Sequence, residues 1–195
     1  RLSIIAVGGY GREEMAPFSD IDILFLTPYK TTPWTENVIE SMLYILWDLK
    51  LQIGHATRSI DECILLGGKD FTIRTSLLET RPICGDKNLG DELTTRLWNE
   101  LFQSSTTEFI TAKLNERATR HKKHGENRYL LEPNIKEGKG GLRDLQSLFW
   151  IAKYIHHVEK PVELIQIGVF NDQEYTKFVN AINFLWQVRC HLHFI

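Results

Sequence analysis

Gly8-Gly9-Tyr10-Gly11-Arg12, followed after four residues by Pro17-Phe18-Ser19-Asp20-Ile21-Asp22-Ile23-Leu24, is the stretch on which the reading of this chain turns. Upstream of it, Leu2-Ser3-Ile4-Ile5-Ala6-Val7 is a short apolar, β-branched run ended by the glycine pair, which reads as a buried strand entering a turn. Downstream, Asp20 to Leu26 is polar at its start and apolar after, a second strand that Pro28 ends. Side chains alternate along a strand, so Asp20 and Asp22 are predicted to project from one face, one pleat apart. Two carboxylates that close repel each other, and in an apolar strand they persist best when a divalent cation neutralises both. Glycines without side chains let backbone N–H groups approach a phosphate, and a helix N-terminus adds a favourable dipole. Singly, these signals are weak: Asp-x-Asp more often marks a strand end with solvated carboxylates, and Gly-Gly is usually a turn. Jointly they predict a phosphoryl or nucleotidyl transfer site. Asp20 and Asp22 are its catalytic, metal-binding acids, and Gly8, Gly9 and Ser19 lie against the nucleotide.

The first third of the chain continues the alternation of strand and helix. Trp34 to Leu49 carries apolar residues at helical spacing (Val38, Ile39, Met42, Leu43, Ile45, Leu46) with Pro33 at its first turn. Leu51 to Thr57 is a third strand, and Ser59-Ile60-Asp61-Glu62 fits a helix N-cap with a capping box. From Phe71 onward strand signals nearly vanish. Ile73, Leu77 and Leu78 continue a helical period to Arg81, and Pro82 to Asp86 reads as a break. Helices are expected over Leu89 to Phe102, Thr107 to His124, Leu142 to His157 and Asn171 to Ile195, with a long Gly- and charge-rich loop from Gly125 to Gly141. The layout is α+β: a small mixed-sheet domain over residues 1–85, then an α-helical bundle over residues 86–195.

Composition excludes several classes. The 195 residues are 43% hydrophobic, with a net charge of −2, a pI near 6.4 and a mean hydropathy of −0.23. Nothing global points to nucleic acid or membrane. No apolar run reaches the roughly 18 residues a membrane span requires. Cys63, Cys84 and Cys190 are far apart and lack metal-ligand spacing, which predicts free thiols in a reducing cytoplasm. The chain opens without Met and stops inside a helical pattern, so it is expected to be a piece of a longer polypeptide.

A second constellation is Glu132-Pro133-Asn134-Ile135-Lys136-Glu137-Gly138-Lys139-Gly140-Gly141-Leu142-Arg143-Asp144. Gly140 and Gly141 precede a helix, Lys136 supplies charge, and Arg143 is able to fork onto phosphate or a carboxylate. These four are expected nucleotide contacts; the plain alternative is a surface loop with a Gly-rich cap. Arg117, Arg120, His121, Lys122, Lys123 and His124 read as a solvated basic helix end, or as a docking patch for an acidic partner. Trp47, Trp98, Trp150 and Trp186 read as core, and His55 either lines the site or is a packed histidine.

The Gly8–Arg12 and Pro17–Leu24 stretches resemble the signature of the DNA polymerase β-like nucleotidyltransferase superfamily. More narrowly they are similar to the bacterial PII uridylyltransferase/uridylyl-removing family. Leu46–Leu51, Ile53–His55, Leu77–Arg81, Leu131–Lys136 and Gly140–Asp144 extend the likeness along nearly the whole chain. The resemblance implies uridylyl transfer from UTP to a tyrosine of the PII signal protein, with Mg²⁺ or Mn²⁺ and release of pyrophosphate. It also implies further HD and ACT domains in a longer chain. No His-Asp doublet occurs here, so no uridylyl-removing activity is expected of these residues. Glutamine synthetase adenylyltransferase is the neighbouring family, and a non-catalytic nucleotide- or PII-binding module is the alternative role. In one respect the sequence departs from the superfamily: the strand after the long helix lacks the usual third acid, Gln52 standing near its place. Asp70 and Glu79 are the substitutes considered.

Overall fold

The computed structural model describes residues 1–125 and 134–194, which form two compact units, Arg1–Ser104 and Ser105–Ile195. The first holds a four-stranded mixed sheet, order β3-β2-β1-β4, built from β1 (Ser3–Ala6), β2 (Ile21–Thr27), β3 (Ile53–Ser59) and β4 (Arg81–Gly85). β1 runs antiparallel to β2 and β4, and β2 and β3 run parallel. Between the strands lie α1 (Gly8–Gly11), α2 (Pro33–Asp48), α3 (Ile60–Lys69) and α4 (Phe71–Leu77), and α5 (Lys87–Arg96) follows β4.

Local chemistry explains most of these boundaries. Thr32 caps α2, its hydroxyl accepting from the Thr35 amide, and Pro33 occupies the first position, where a missing N–H costs nothing. Ser59 and Glu62 form the capping box expected at the start of α3. Alternation along β1 and β2 then sorts the sheet's two faces. Ile4, Ile23 and Phe25 pack with Ile39 and Leu43 of α2. Ile5, Leu24 and Leu26 are buried with the opposite parity, where α5 meets β1 and β2 through Leu89 and Leu93.

One expectation changes. Pro82 to Asp86, read as a break, holds all of β4 but its first residue. Its proline sits on an edge strand beside a register shift opposite Ile4 and Ile5, where no ladder hydrogen bond is lost. The first compact unit runs on past β4 to Ser104, taking in α5 and the turns after it. The reason is packing: Leu89, Leu93, Leu97, Leu101 and Phe102 are all buried, and Leu101 lies against Gly67 of α3. A π-helical turn at Leu97–Phe102 and a 3₁₀ turn at Gln103–Ser105 close this unit's chain and lead into the next.

The second unit comprises α6 (Thr106–Gly125), α7 (Leu142–His156), the short α8 (Glu163–Gln166) and α9 (Asp172–His193). The Phe109 and Tyr154 rings stack at 4.1 Å, and the Tyr154 hydroxyl meets Ser105 Oγ at 2.8 Å. Of the tryptophans read as core, Trp150 is buried, whereas Trp47 is 44% exposed on α2. Among the described residues no helix is long and apolar enough to cross a membrane.

Candidate functional site

The antiparallel register of β1 and β2 carries the end of one strand to the start of the other. Ala6 pairs with Ile23, and the Val7 amide donates to the Asp22 carbonyl at 3.1 Å. The glycine turn and Asp22 are therefore adjacent. Gly8 adopts φ +57°, a conformation that a side chain disfavours. A Cβ there would also stand 3.2 Å from Asp22 Oδ2.

Opposite Asp22 on the parallel neighbour is Gly54, whose added Cβ would lie 2.5 Å from Asp22 Oδ1. The Asp22 carboxylate thus occupies a slot between two glycines from different elements, and it is half-buried there. Gly54 was missed as a functional position because its importance lies in register, which sequence spacing does not display. Asp20 precedes β2 and is exposed, and Ser19 is fixed by its amide, which donates to the Ala16 carbonyl at 3.1 Å. α1 itself is one turn long. The amides of Gly8, Gly9 and Tyr10 are the leading N–H groups for which such a turn offers no intrahelical acceptor, whereas Gly11 and Arg12 donate back to Val7 and Gly8.

Neither substitute for the missing third acid joins this slot. Asp70 caps α4, accepting from the amides of Thr72 and Ile73, bonds that hold its pKa below the ordinary value. Glu79 is buried and ion-paired with Arg12. Burial opposes the charge on Arg12, but the Glu79 and Glu14 carboxylates more than offset this, and its pKa is raised. His55 has the opposite parity to Gly54 on β3, its ring edge-on to Phe25 and Trp47 on the α2 side of the sheet. Its side chain is exposed, and its ring contacts lie on the face opposite Asp22. Among the described residues no cluster of three His, Cys, Asp or Glu suits a metal.

Lys136, Gly140, Gly141 and Arg143 lie in the second unit, and there the loop closes on itself. The Leu142 and Arg143 amides donate to the carbonyls of Ile135 and Lys136, the Gly141 amide to Gly138, and the Gly140 amide to Asp144 Oδ2 at 2.8 Å. The N–H groups expected to face phosphate are already spent within the loop. Arg143 took the carboxylate alternative: it reaches Glu137 at 3.4 Å and lies over the Trp150 ring. The basic end of α6 is likewise not a plain solvated terminus. Arg120 is buried and ion-paired with Asp144, which also accepts from His121 Nε2 at 2.8 Å. Leu131, Glu132 and Pro133 and the His124 side chain lie outside the described residues.

Comparison with known proteins supplies the remaining finding. Residues 1–84 match the model of a nucleotidyltransferase domain, and residues 108–195 match that of the GlnD PII-uridylyltransferase family. Bifunctional uridylyltransferase/uridylyl-removing enzymes of Ruegeria pomeroyi and Novosphingobium aromaticivorans are 60% and 55% identical over 195 residues. That of Cereibacter sphaeroides is 57% identical over 194 residues. Each alignment covers 100% of this chain and 21% of the relative, so the chain spans about a fifth of the relatives' length.

Proposed function

We propose that the chain, which matches the nucleotidyltransferase segment and the following helical segment of bifunctional uridylyltransferase/uridylyl-removing enzymes, transfers a uridylyl group from UTP to a tyrosine of the PII protein. The tyrosine oxygen attacks the α-phosphorus, a new P–O bond forms, the α–β bridge breaks, and pyrophosphate leaves with its electron pair. The observation that carries this reading is the Asp22 carboxylate, seated in a two-glycine slot beside the one-turn helix α1.

In this reading the Gly8, Gly9 and Tyr10 amides hold phosphate oxygens, and Ser19 lies beside them. Asp20 and Asp22 offer hard oxygen donors of the type that suits Mg²⁺ or Mn²⁺, and Mg²⁺ is commonly held by one or two carboxylates plus substrate phosphates. When bound, such an ion would neutralise developing charge on the phosphoryl group. The slot's contribution is to deny Asp22 alternative positions before substrate arrives. Lys136 and Arg143 have no part in this proposal, because their own loop engages them or their neighbours. The longer polypeptide, with its further domains, is taken to work in the cytoplasm.

The test is incubation of the chain with α-labelled UTP, Mg²⁺ and PII. Label is expected on PII, and Asp20→Asn or Asp22→Asn should abolish it with the fold intact. A double variant with full activity refutes the assignment. The missing third acid favours one second reading, a nucleotide- or PII-binding module without turnover. Tight UTP binding with no label transfer selects it, and replacing UTP by ATP separates uridylyl from adenylyl transfer.

A further inference from the structure

The turn Leu77–Arg81, between α4 and β4, grips the glycine turn at three points. Gly11 packs so closely on the Glu79 carbonyl that no side chain fits between them. Arg81 donates from Nη2 to the Tyr10 carbonyl at 3.0 Å and from Nε to the Gly11 carbonyl at 3.3 Å, its guanidinium lying over the Tyr10 ring. Arg12, the residue that leaves α1, is ion-paired with Glu79 and also donates to Glu14 at 2.9 Å. Glu79 is only 3% exposed.

A buried ion pair is an expensive way to hold a fold, since neutral side chains of similar volume usually serve as well or better. What it adds is one fixed geometry, enforced because either charge left alone is severely penalised. The segment it fixes is one turn long and has too few internal hydrogen bonds to hold its own direction.

We propose that Arg12 and Glu79 are positioning residues: their ion pair, with Arg81 on the turn's carbonyls, sets the direction in which the Gly8, Gly9 and Tyr10 amides face relative to the Asp22 carboxylate. The nucleotide role of those amides rests on the reading above; the positioning does not. Glu79 is thereby assigned to orienting the phosphate-facing turn instead of holding a metal.

The experiment compares wild type, Glu79→Gln and the double variant Arg12→Gln/Glu79→Gln. In amide-resolved NMR spectra of the free chain, Glu79→Gln should shift or broaden Gly8, Gly9, Tyr10 and Gly11, leaving Ile39 and Leu43 of α2 in place. The UTP–Mg²⁺ dissociation constant, by calorimetry, should rise about tenfold, a fraction of an ångström of misorientation being enough. Mn²⁺ binding without nucleotide should stay within about twofold of wild type. The double variant, with no buried charge left alone, should recover the melting temperature but not the UTP affinity. Unmoved α1 amides in Glu79→Gln, or UTP affinity that recovers together with the melting temperature, overturns the proposal. Should wild type bind no UTP while the α1 amides still move, the nucleotide reading fails and the positioning stands. If UTP binding survives Glu79→Gln but not Asp22→Asn, the reverse holds.

Discussion

Adding one methyl group at Gly54 tests the slot with little cost to the fold. The new Cβ would stand 2.5 Å from Asp22 Oδ1, whereas ordinary contact begins at 3.4 Å, so the carboxylate must retreat by about 0.9 Å or rotate away. A misplacement of about 1 Å at a reacting centre costs on the order of 10²-fold in rate, equivalent to about 2.7 kcal/mol of barrier. The backbone gives no compensating penalty: Gly54 lies within β3, and its φ is not among the positive ones. Alanine in a strand interior is favoured over glycine by roughly 0.5–1 kcal/mol. Gly54→Ala is therefore expected to melt at or slightly above the wild-type temperature while losing about 10²-fold in the rate of label transfer from UTP to PII. Mn²⁺ affinity, read by electron paramagnetic resonance, should weaken in the same variant. A rate within about threefold of wild type, with the variant folded and Mn²⁺ binding unchanged, would refute the claim that the position of Asp22 matters.

Two further predictions concern pH. Cys63 is fully buried, and burial pushes its thiol from 9.0 up to about 12. The folded chain keeps that proton when the unfolded chain has released it, so stability is full below pH 9 and falls as pH rises toward 12. Urea midpoints should decline through this window by up to about 1.4 kcal/mol per pH unit from this group, and Cys63→Ala should remove that slope. Asp144 behaves in the opposite sense. Burial raises its pKa, but the Gly140 amide, Arg120 and His121 outweigh that and hold it below the ordinary 3.8. Its contribution is present above that value and lost as pH falls through the folded one. Urea unfolding at pH 7, followed by tryptophan fluorescence, should show Asp144→Asn destabilised by about 1–3 kcal/mol with a flatter acid limb, because buried Arg120 loses its nearest carboxylate and keeps only Glu116 and Glu137, each at 3.9 Å. An unchanged midpoint would show that the Arg120–Asp144 pair contributes nothing to the second unit.

The parts of this chain that were legible in its sequence are those whose cause is local. The Ser59 capping box, the Pro33 start of α2 and the apolar runs of β1 and β2 are each fixed by residues within a few positions of one another. The adjacency of Gly8 to Asp22 was legible for a related reason: a short connection between two apolar strands leaves few ways to pair them. β4 was not legible, because Pro82 argues against a strand and only the edge position beside β1 removes the objection. Nor was the fate of Gly140 and Gly141. A glycine pair before a helix looks the same in sequence whether its amides face a ligand or, as here, its own loop and Asp144.

The contrast between the two glycine pairs locates the chemistry. One opens the helical turn α1 and the other precedes α7, and both stand near an acid that follows in sequence. In the second unit the acid turns back onto the loop and consumes its amide, so the charge is spent on closing the structure. In the first, Asp22 stands on β2 between Gly8 and Gly54, and Arg12 is ion-paired with Glu79 and Glu14. In the proposed reading it is the seat of Asp22 between Gly8 and Gly54, set by the pairing of β2 with β1 and β3 and spelled out by no motif, that would bring a carboxylate beside the phosphate-facing turn.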